Sequence, residues 1–352
     1  MKYMFIVQGE GRGHLTQAIS MYEMLTGNGD EITEVLVGMN TSSSLPSFFT
    51  EKIHCPVFIF GSSYFLFSAK KQKSLLFKSI VFNLWKLPSY IKSIRFIKQR
   101  IKTNQPDKIL NFYEILTGLT YAFSPPKIPC ICIGHQYLFL HPDFVFPKKN
   151  RLQLAGLLLF TRMTCFRASV LLALSFHEMR NMNKIHVVPP LVRKDVLRQT
   201  PSKGDYILGY MVDAVFSKQA IDWHHQHKDI YLHFFWNNKD YPDEWQIDES
   251  LTFHQLNDIT FLNYMTGCKA YASTGGFESI CEALYLHKPV MMIPAHIEQE
   301  CNAFDAVNVG AGILSDKFNI SGLLDFLPLY QPNKEFVSWV NKAQSMFIDE
   351  SR

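Results

Sequence analysis

One stretch limits what this chain can fold into more than any other. Over residues 271–303 an apolar run closing on Tyr271 and Ala272 leads into Ser273-Thr274-Gly275-Gly276. Apolar side chains then fall at Phe277, Ile280, Cys281, Leu284 and Leu286. That spacing predicts a helix, which Pro289 stops before a second apolar run, Val290–Ile293. The reading is strand, glycine turn, helix and strand, followed by a loop carrying Glu298 and Gln299. A helix crossing between two strands implies a parallel sheet with helices on its faces.

The same stretch specifies chemistry. A glycine turn opening a helix leaves backbone N–H groups unpaired at the positive end of the helix dipole, which suits an anion. Ser279 adds a hydroxyl within the first turn. Glu282 lies one turn further on, clear of the anion site and suited to accept hydrogen bonds from vicinal hydroxyls. Phosphate at the turn and a diol at the carboxylate together describe a ribose diphosphate. Glu298 and Gln299 offer an acceptor and an amide for sugar hydroxyls. A glycine-tightened turn before a capped helix explains Gly275 and Gly276 alone, but not the combination.

These residues resemble the donor-binding signature of GT-B-fold, nucleotide-sugar-dependent glycosyltransferases. The stretch is similar to the plant and bacterial UDP-glucuronosyl/glucosyltransferases and to the lipid-linked N-acetylglucosaminyltransferase of peptidoglycan synthesis. The resemblance implies an α/β fold of two Rossmann-like domains facing a central cleft. It places Gly275, Gly276 and Ser279, with Thr274, at the donor diphosphate, Glu282 at the ribose, and Glu298 and Gln299 at the transferred sugar. The plant pattern begins His-Cys-Gly and has Asn before the Ser. Here Thr274 and Glu278 stand at those positions, and a carboxylate at 278 suits a diphosphate only if it faces away.

The chain opens with a second unit of the same kind. Lys2–Gln8 reads as a strand running into Gly9-Glu10-Gly11-Arg12-Gly13-His14, and a helix follows to about Leu25. A dinucleotide fingerprint would need Gly-x-Gly-x-x-Gly, but the third glycine comes one place early and Asp30 lies in a turn. The loop resembles the acceptor-side loop of the same glycosyltransferases, in a bacterial and archaeal branch with Gly-Arg-Gly-His. His14, at a positive helix end that keeps its imidazole neutral, is the candidate general base for an acceptor hydroxyl. Gly11, Arg12 and Gly13 would line the acceptor side, with Arg12 steering an anion or simply solvated. His135 and Gln136 close a later strand at the ligand-binding edge and are further acceptor candidates. Phe253 and His254 are candidates for a base pocket.

Further apolar segments predict strands at Glu34–Gly38, Pro56–Phe60, Pro106–Asn111, Ile128–Gly134 and Ile185–Val188. A second series runs Tyr206–Val212, Asp229–Trp236, Leu251–His254, Lys269–Ala272 and Val290–Ile293. The expected organisation is an acceptor-side domain over 1–192, a linker over 193–204, and a donor domain over 205–332. A final helical segment over 333–352 would return to the first domain. Charge divides the same way: residues 1–196 carry 24 Lys/Arg against 11 Asp/Glu, and residues 197–352 carry 11 against 20. Seven scattered cysteines favour reduced thiols and a cytoplasmic setting over a disulfide framework. Met1–Val7 is too short for a signal-peptide core. Arg162 and Arg167 break the apolar stretch Leu152–Phe176 below the roughly 18–20 residues that span a bilayer.

Between Lys52 and Pro106 stand eleven Lys/Arg and no Asp or Glu. Aromatic residues are interleaved over 64–102, and the apolar spacing is helical from Leu75 to Ile101. No nucleic-acid motif accompanies this charge, so nucleic acid is not expected as a partner. The expectation is a peripheral surface for anionic lipid, at the inner face of a membrane. His224 and His227 share a helix face that reads as surface, with no third metal ligand.

The sequence contains no Asp-x-Asp, so a metal-dependent design is not expected; the resemblance implies inverting transfer from a UDP-sugar by direct displacement, with no cofactor. The donor partner is a nucleotide sugar, and the hydroxyl acceptor is one that a membrane-associated enzyme could meet on a lipid. A sugar-nucleotide epimerase of the same fold and a non-catalytic nucleotide-sugar-binding protein are the alternatives.

Overall fold

The computed structural model describes residues 1–62, 67–68, 73–74, 86–148, 150–211 and 215–352. Two seven-stranded sheets dominate it. The first uses β1 (Lys2–Gln8), β2 (Glu31–Met39), β3 (Val57–Gly61), β4 (Lys108–Phe112), β5 (Cys130–Gly134), β6 (Val170–Leu174) and β7 (Ile185–Val188). Its spatial order is β3-β2-β1-β4-β5-β6-β7, and every pairing is parallel. The second uses β8 (Tyr206–Tyr210), β9 (Tyr231–Trp236), β10 (Glu244–Gln246), β11 (Leu251–Gln255), β12 (Ala270–Ser273), β13 (Val290–Met292) and β14 (Gly312–Leu314). Its order is β10-β11-β9-β8-β12-β13-β14, parallel except for β10. Each is a doubly wound α/β sheet, the architecture expected from the sequence.

Strand order fixes where ligands belong. In the first sheet the winding reverses between β1 and β4, and in the second between β8 and β12. Open α/β sheets bind ligands beyond the carboxyl ends of strands at such switch points. The loop 9–13 leaves β1 and the turn 273–276 leaves β12, so both motifs sit at the two switch points.

The connecting helices are α1 (Gly13–Gly27), α2 (Leu87–Asn104), α3 (Ile115–Phe123), α4 (Arg151–Thr164), α5 (Val215–His224), α6 (Asp258–Gly267), α7 (Phe277–Tyr285) and α8 (Ile297–Asn308). Central strands such as β1 are buried on both faces, as strands covered by helices must be. Two edge strands escape the sequence pattern. β10 is short and polar. β14 is three residues long, and its Gly312 is required because a side chain there would run into the Val290 backbone.

The expected final helix divides at Lys342 into α9 (Lys334–Asn341) and α10 (Ala343–Ser351). Both pack on the first domain. The Trp339 indole donates to the Ser175 carbonyl at 3.0 Å, the Tyr3 hydroxyl donates to the Ser351 carbonyl at 3.1 Å, and Phe347 is fully buried.

Two further expectations change. His224 is buried rather than on the surface: its Nε2 meets both Asp248 carboxylate oxygens at 3.0 Å. Within the basic stretch, residues 63–66, 69–72 and 75–85 lie outside the described residues. Its remaining helix is α2, with Pro88 in the first turn. There Arg100 is not a lipid-facing cation, because it forks onto Glu34 and lies over the Phe58 ring. Among the described residues no helix is long and apolar enough to cross a membrane. All seven cysteines are free, and five are buried.

Candidate active site

The glycine turn has the backbone geometry that its sequence requires. Gly275 has φ +86°, a left-handed conformation that side chains disfavour. A side chain there would also press on the Gln299 backbone oxygen at 3.3 Å. Gly276 is the N-cap of α7 and, as a glycine, provides no side-chain cap for the first-turn N–H groups. Ser279 Oγ donates to the Gly276 carbonyl at 3.1 Å, and Thr274 is buried beside the turn. Glu278 does not face away from the turn: its carboxylate meets its own backbone N–H in the first turn of α7 and also accepts a hydrogen bond from Gln17 Nε2 across the domain boundary. Burial raises its carboxyl to about 7, with Glu298 and Glu282 adding to the rise.

His14 begins α1, half-buried opposite that helix. Its Nδ1 lies 3.2 Å from Gln17 Oε1. With the Gln17 amide nitrogen on an ionised Glu278, its oxygen faces Nδ1, the arrangement in which Nδ1 carries the proton and Nε2 is the basic nitrogen. Burial lowers the imidazole's pKa below the ordinary value, against smaller opposing effects from Glu298 and Gln17. The ring stacks on Tyr113 at 5.3 Å between centroids. Tyr113 itself is held at φ +61°, a strained backbone at the edge of the site. Gly13 is glycine for a steric reason: a Cβ there would stand 2.5 Å from Glu278 Oε2.

Glu282 is buried and already has a partner. Arg193 donates from Nε to Oε1 at 2.6 Å and from Nη2 to Oε2 at 2.9 Å. Arg12 is not free, since it pairs with Asp258 and lies 3.9 Å over the Phe48 ring, though its side chain stays partly exposed.

Glu298 and Gln299 occupy the first turn of α8 instead of a loop. Gln136 Nε2 donates to Glu298 Oε1 at 2.9 Å, joining the two domains, and the Ala295 N–H donates to Gln299 Oε1 at 2.9 Å. His135 does not face an acceptor. It is buried, bonded to the Leu174 carbonyl at 2.7 Å, and stacked on Phe277 at 3.9 Å. Burial drops its pKa to about 3, so it packs the domain boundary as a neutral ring. Phe253 and His254 belong to β11 and do not form a base pocket. Strand alternation turns Phe253 into the core against Phe234, Trp236 and Trp245, with no exposure. His254 Nε2 is taken up by His233 at 3.0 Å.

Between α1, α7 and the segment after β7, a small gap of about 10 Å³ is lined by Gln17, Val192, Phe277, Glu278 and Glu282, room for roughly one water.

Residues 1–329 match the family model described as glycosyl transferase family 1. The chain belongs to that family. It is a glycosyltransferase, and its activity is sugar transfer. Its fold is shared with the calicheamicin glycosyltransferase CalG4, at TM-score 0.65 and 10% identity over 99% of this chain and 97% of that one. Phytolacca americana UGT2 complexed with UDP-2fluoro-glucose and pterostilbene aligns at TM-score 0.62 and 12% identity, over 99% of this chain and 94% of that one. The spinosyn rhamnosyltransferase SpnG complexed with thymidine diphosphate aligns at TM-score 0.59 and 10% identity, over the full length of both. Among curated protein sequences none is significantly similar to this glycosyltransferase.

Three largely buried polar residues near these loops carry little local signal of a role in the sequence. Gln17 is polar but buried one turn after His14, on the face that periodicity assigns to the interior. Arg193 looked like linker. Glu114, at the carboxyl end of β4, is fully buried, accepts from Ser62 Oγ at 2.6 Å and the Leu116 N–H at 3.0 Å, and is raised to about 7 by burial. The one available signal was the position of Glu114, directly after a strand on the ligand-binding edge.

Proposed function

We propose that this glycosyltransferase moves a sugar from a UDP-sugar to a hydroxyl acceptor by direct displacement, with inversion and without a metal ion. One observation carries the reading: His14 at the mouth of α1 is tied through Gln17 to Glu278 at the mouth of α7. That contact supports a tautomer with Nε2 free as the base, facing the proposed donor helix across one boundary. Nε2 takes the acceptor proton as its oxygen attacks the anomeric carbon. The bond to the diphosphate breaks, and the charge gathering there is met by the uncapped N–H groups of α7. Glu282 takes the ribose hydroxyls, and Glu298 with Gln299 takes the sugar.

Uridine is supported by the resemblance of the turn to the UDP-glycosyltransferases and by a structural neighbour holding a uridine diphosphate sugar. The test is a thermal-shift panel of UDP-, dTDP- and GDP-sugars and NAD(H). A UDP-sugar should shift the melting temperature most, and Glu282→Ala should abolish the shift. Preference for NAD(H) would refute the assignment.

The acceptor side carries a surface suited to anionic lipid at the inner face of a membrane, and a lipid-linked acceptor follows from it. Helices α2, α3 and α4 lie side by side, exposing Leu87, Ile91, Phe123, Leu152 and Leu159 among Lys92, Arg95, Lys98, Arg151 and Arg162. Each cation near such a surface contributes about 1 kcal/mol. Flotation with phosphatidylglycerol vesicles should retain the protein, and Leu152→Asp with Arg95→Glu should release it. Equal binding to neutral vesicles would remove the electrostatic part of the proposal.

A further inference from the structure

The Arg193–Glu282 pair has no role in holding either sheet together. Arg193 comes from the segment joining the domains, and its fork on Glu282 is largely buried, at 17% and 6% side-chain exposure. Its Nη1 also lies 4.0 Å from Asp258 Oδ1, the oxygen that Arg12 holds from the loop after β1. Two guanidinium groups and two carboxylates therefore meet where the first domain, the connection and helices α6 and α7 converge. The charges cancel, which is what makes the burial tolerable.

A ligand that takes Glu282 must break this arrangement. A diol offers hydroxyl donors to the carboxylate, but it leaves Arg193, a largely buried cation, with only Asp258 at 4.0 Å, which Arg12 already holds. A free diphosphate offers Arg193 an anion but leaves Glu282 without its partner. Only a molecule carrying both groups re-pairs both charges. The spacing fits such an exchange: Glu282 stands five residues beyond Phe277, about 7.5 Å along the axis of α7. A flexible arginine side chain can sweep that distance.

We propose that Arg193 is a donor-gated cation: it occupies Glu282 in the ligand-free enzyme and transfers to the diphosphate when the ribose diol takes the carboxylate. This rests on the reading of Glu282 as the ribose ligand and α7 as the diphosphate site. Arg193 is then a specificity residue. It sets a threshold that nucleosides do not cross, and it adds positive charge at the leaving group once the donor is seated. A 2′-deoxyribose, which lacks the vicinal diol, releases it less well.

The experiment is calorimetric titration of the full chain with UDP, 2′-deoxy-UDP and uridine, for wild type, Arg193→Gln, Arg193→Lys and Glu282→Gln. In the wild type UDP should bind more tightly than 2′-deoxy-UDP, and uridine only weakly. Arg193→Gln should weaken UDP by about tenfold, the value of one charge-assisted hydrogen bond, while strengthening uridine by freeing Glu282. Arg193→Lys keeps the charge without the fork, guards against failure to fold, and should retain most UDP affinity while binding uridine better than wild type. Opposite movement of UDP and uridine is the signature. If Arg193→Gln and Arg193→Lys shift both ligands in the same direction, or leave both unchanged, the gate is refuted although the donor site stands. If Glu282→Gln leaves UDP affinity unaltered, the ribose assignment fails, and the gate fails with it for that separate reason.

Discussion

At the scale of single residues, the tautomer of His14 decides what it can do. Its Nδ1–H is held by Gln17, so the lone pair on Nε2 is the one available to an acceptor proton. Replacing His14 with Ala should lower kcat by about 10²–10⁴-fold with the donor KM little changed. Gln17→Leu frees the ring to adopt the other tautomer and should lower kcat by about tenfold, one hydrogen bond's worth, in steady-state assays of the folded variant. Because burial depresses the His14 pKa, the acid limb of kcat/KM should fall below the pH at which free histidine titrates. An acid limb at or above pH 6.5 would remove His14 as the base. Glu114 affects stability with the opposite sense of shift. Its carboxyl is raised from 4.5 to about 7 by burial, so the folded state binds the proton more tightly than the unfolded chain. Its contribution is full below the lower value and is lost as pH rises through the upper one, about 3 kcal/mol in all. Glu114→Gln should flatten the fall in melting temperature between pH 5 and 8, compared by calorimetry at each pH.

At the scale of elements, two glycines are required for different reasons. Gly275 supplies a left-handed turn where any side chain costs roughly 1–2 kcal/mol of backbone strain. Gly275→Ala should therefore lower the melting temperature and weaken donor binding together, because the turn and the N–H cradle are the same atoms. Gly13 has no backbone restriction of this kind and is small because Glu278 lies against it. Gly13→Ala should leave donor affinity intact while displacing Glu278 and Gln17, so its defect should appear in kcat, with binding measured by titration. The turn was legible from its sequence because glycine, helical spacing and proline are local signals. The side chain meeting Gly13 was not, since Glu278 lies far along the chain and nothing local links them.

At the scale of the whole molecule, the domains are held shut by polar pairs across the boundary. Gln17 with Glu278, Gln136 with Glu298, and Asn150 with Glu300 all join the first domain to the second. These pairs must break for the domains to part, the motion by which two-domain enzymes commonly admit a substrate. UDP-sugar binding should therefore change the radius of gyration by solution scattering and the hydrogen exchange of 133–137 and 275–282. No change in either would mean that side chains alone make room. The last helices cross back to the first domain, so stability of the two halves is coupled through α9. Trp339→Ala removes a buried indole and its bond to Ser175 and should cost about 3–5 kcal/mol, seen as earlier unfolding of the first domain.

The sequence by itself determined the two doubly wound sheets, the switch-point loops at 9–14 and 273–276, and the family to which the chain belongs. Those follow from hydrophobic period, glycine and proline, which act over a few residues. Only the tertiary structure decided which side chains meet across the boundary. It gave Arg193 to Glu282, Asp258 to Arg12 and Gln17 to Glu278, and withdrew Phe253 and His135 into packing. The physical reason is that a charge or ring is committed by whichever partner burial brings to it, and that partner is set by how two domains close rather than by any neighbour in the chain.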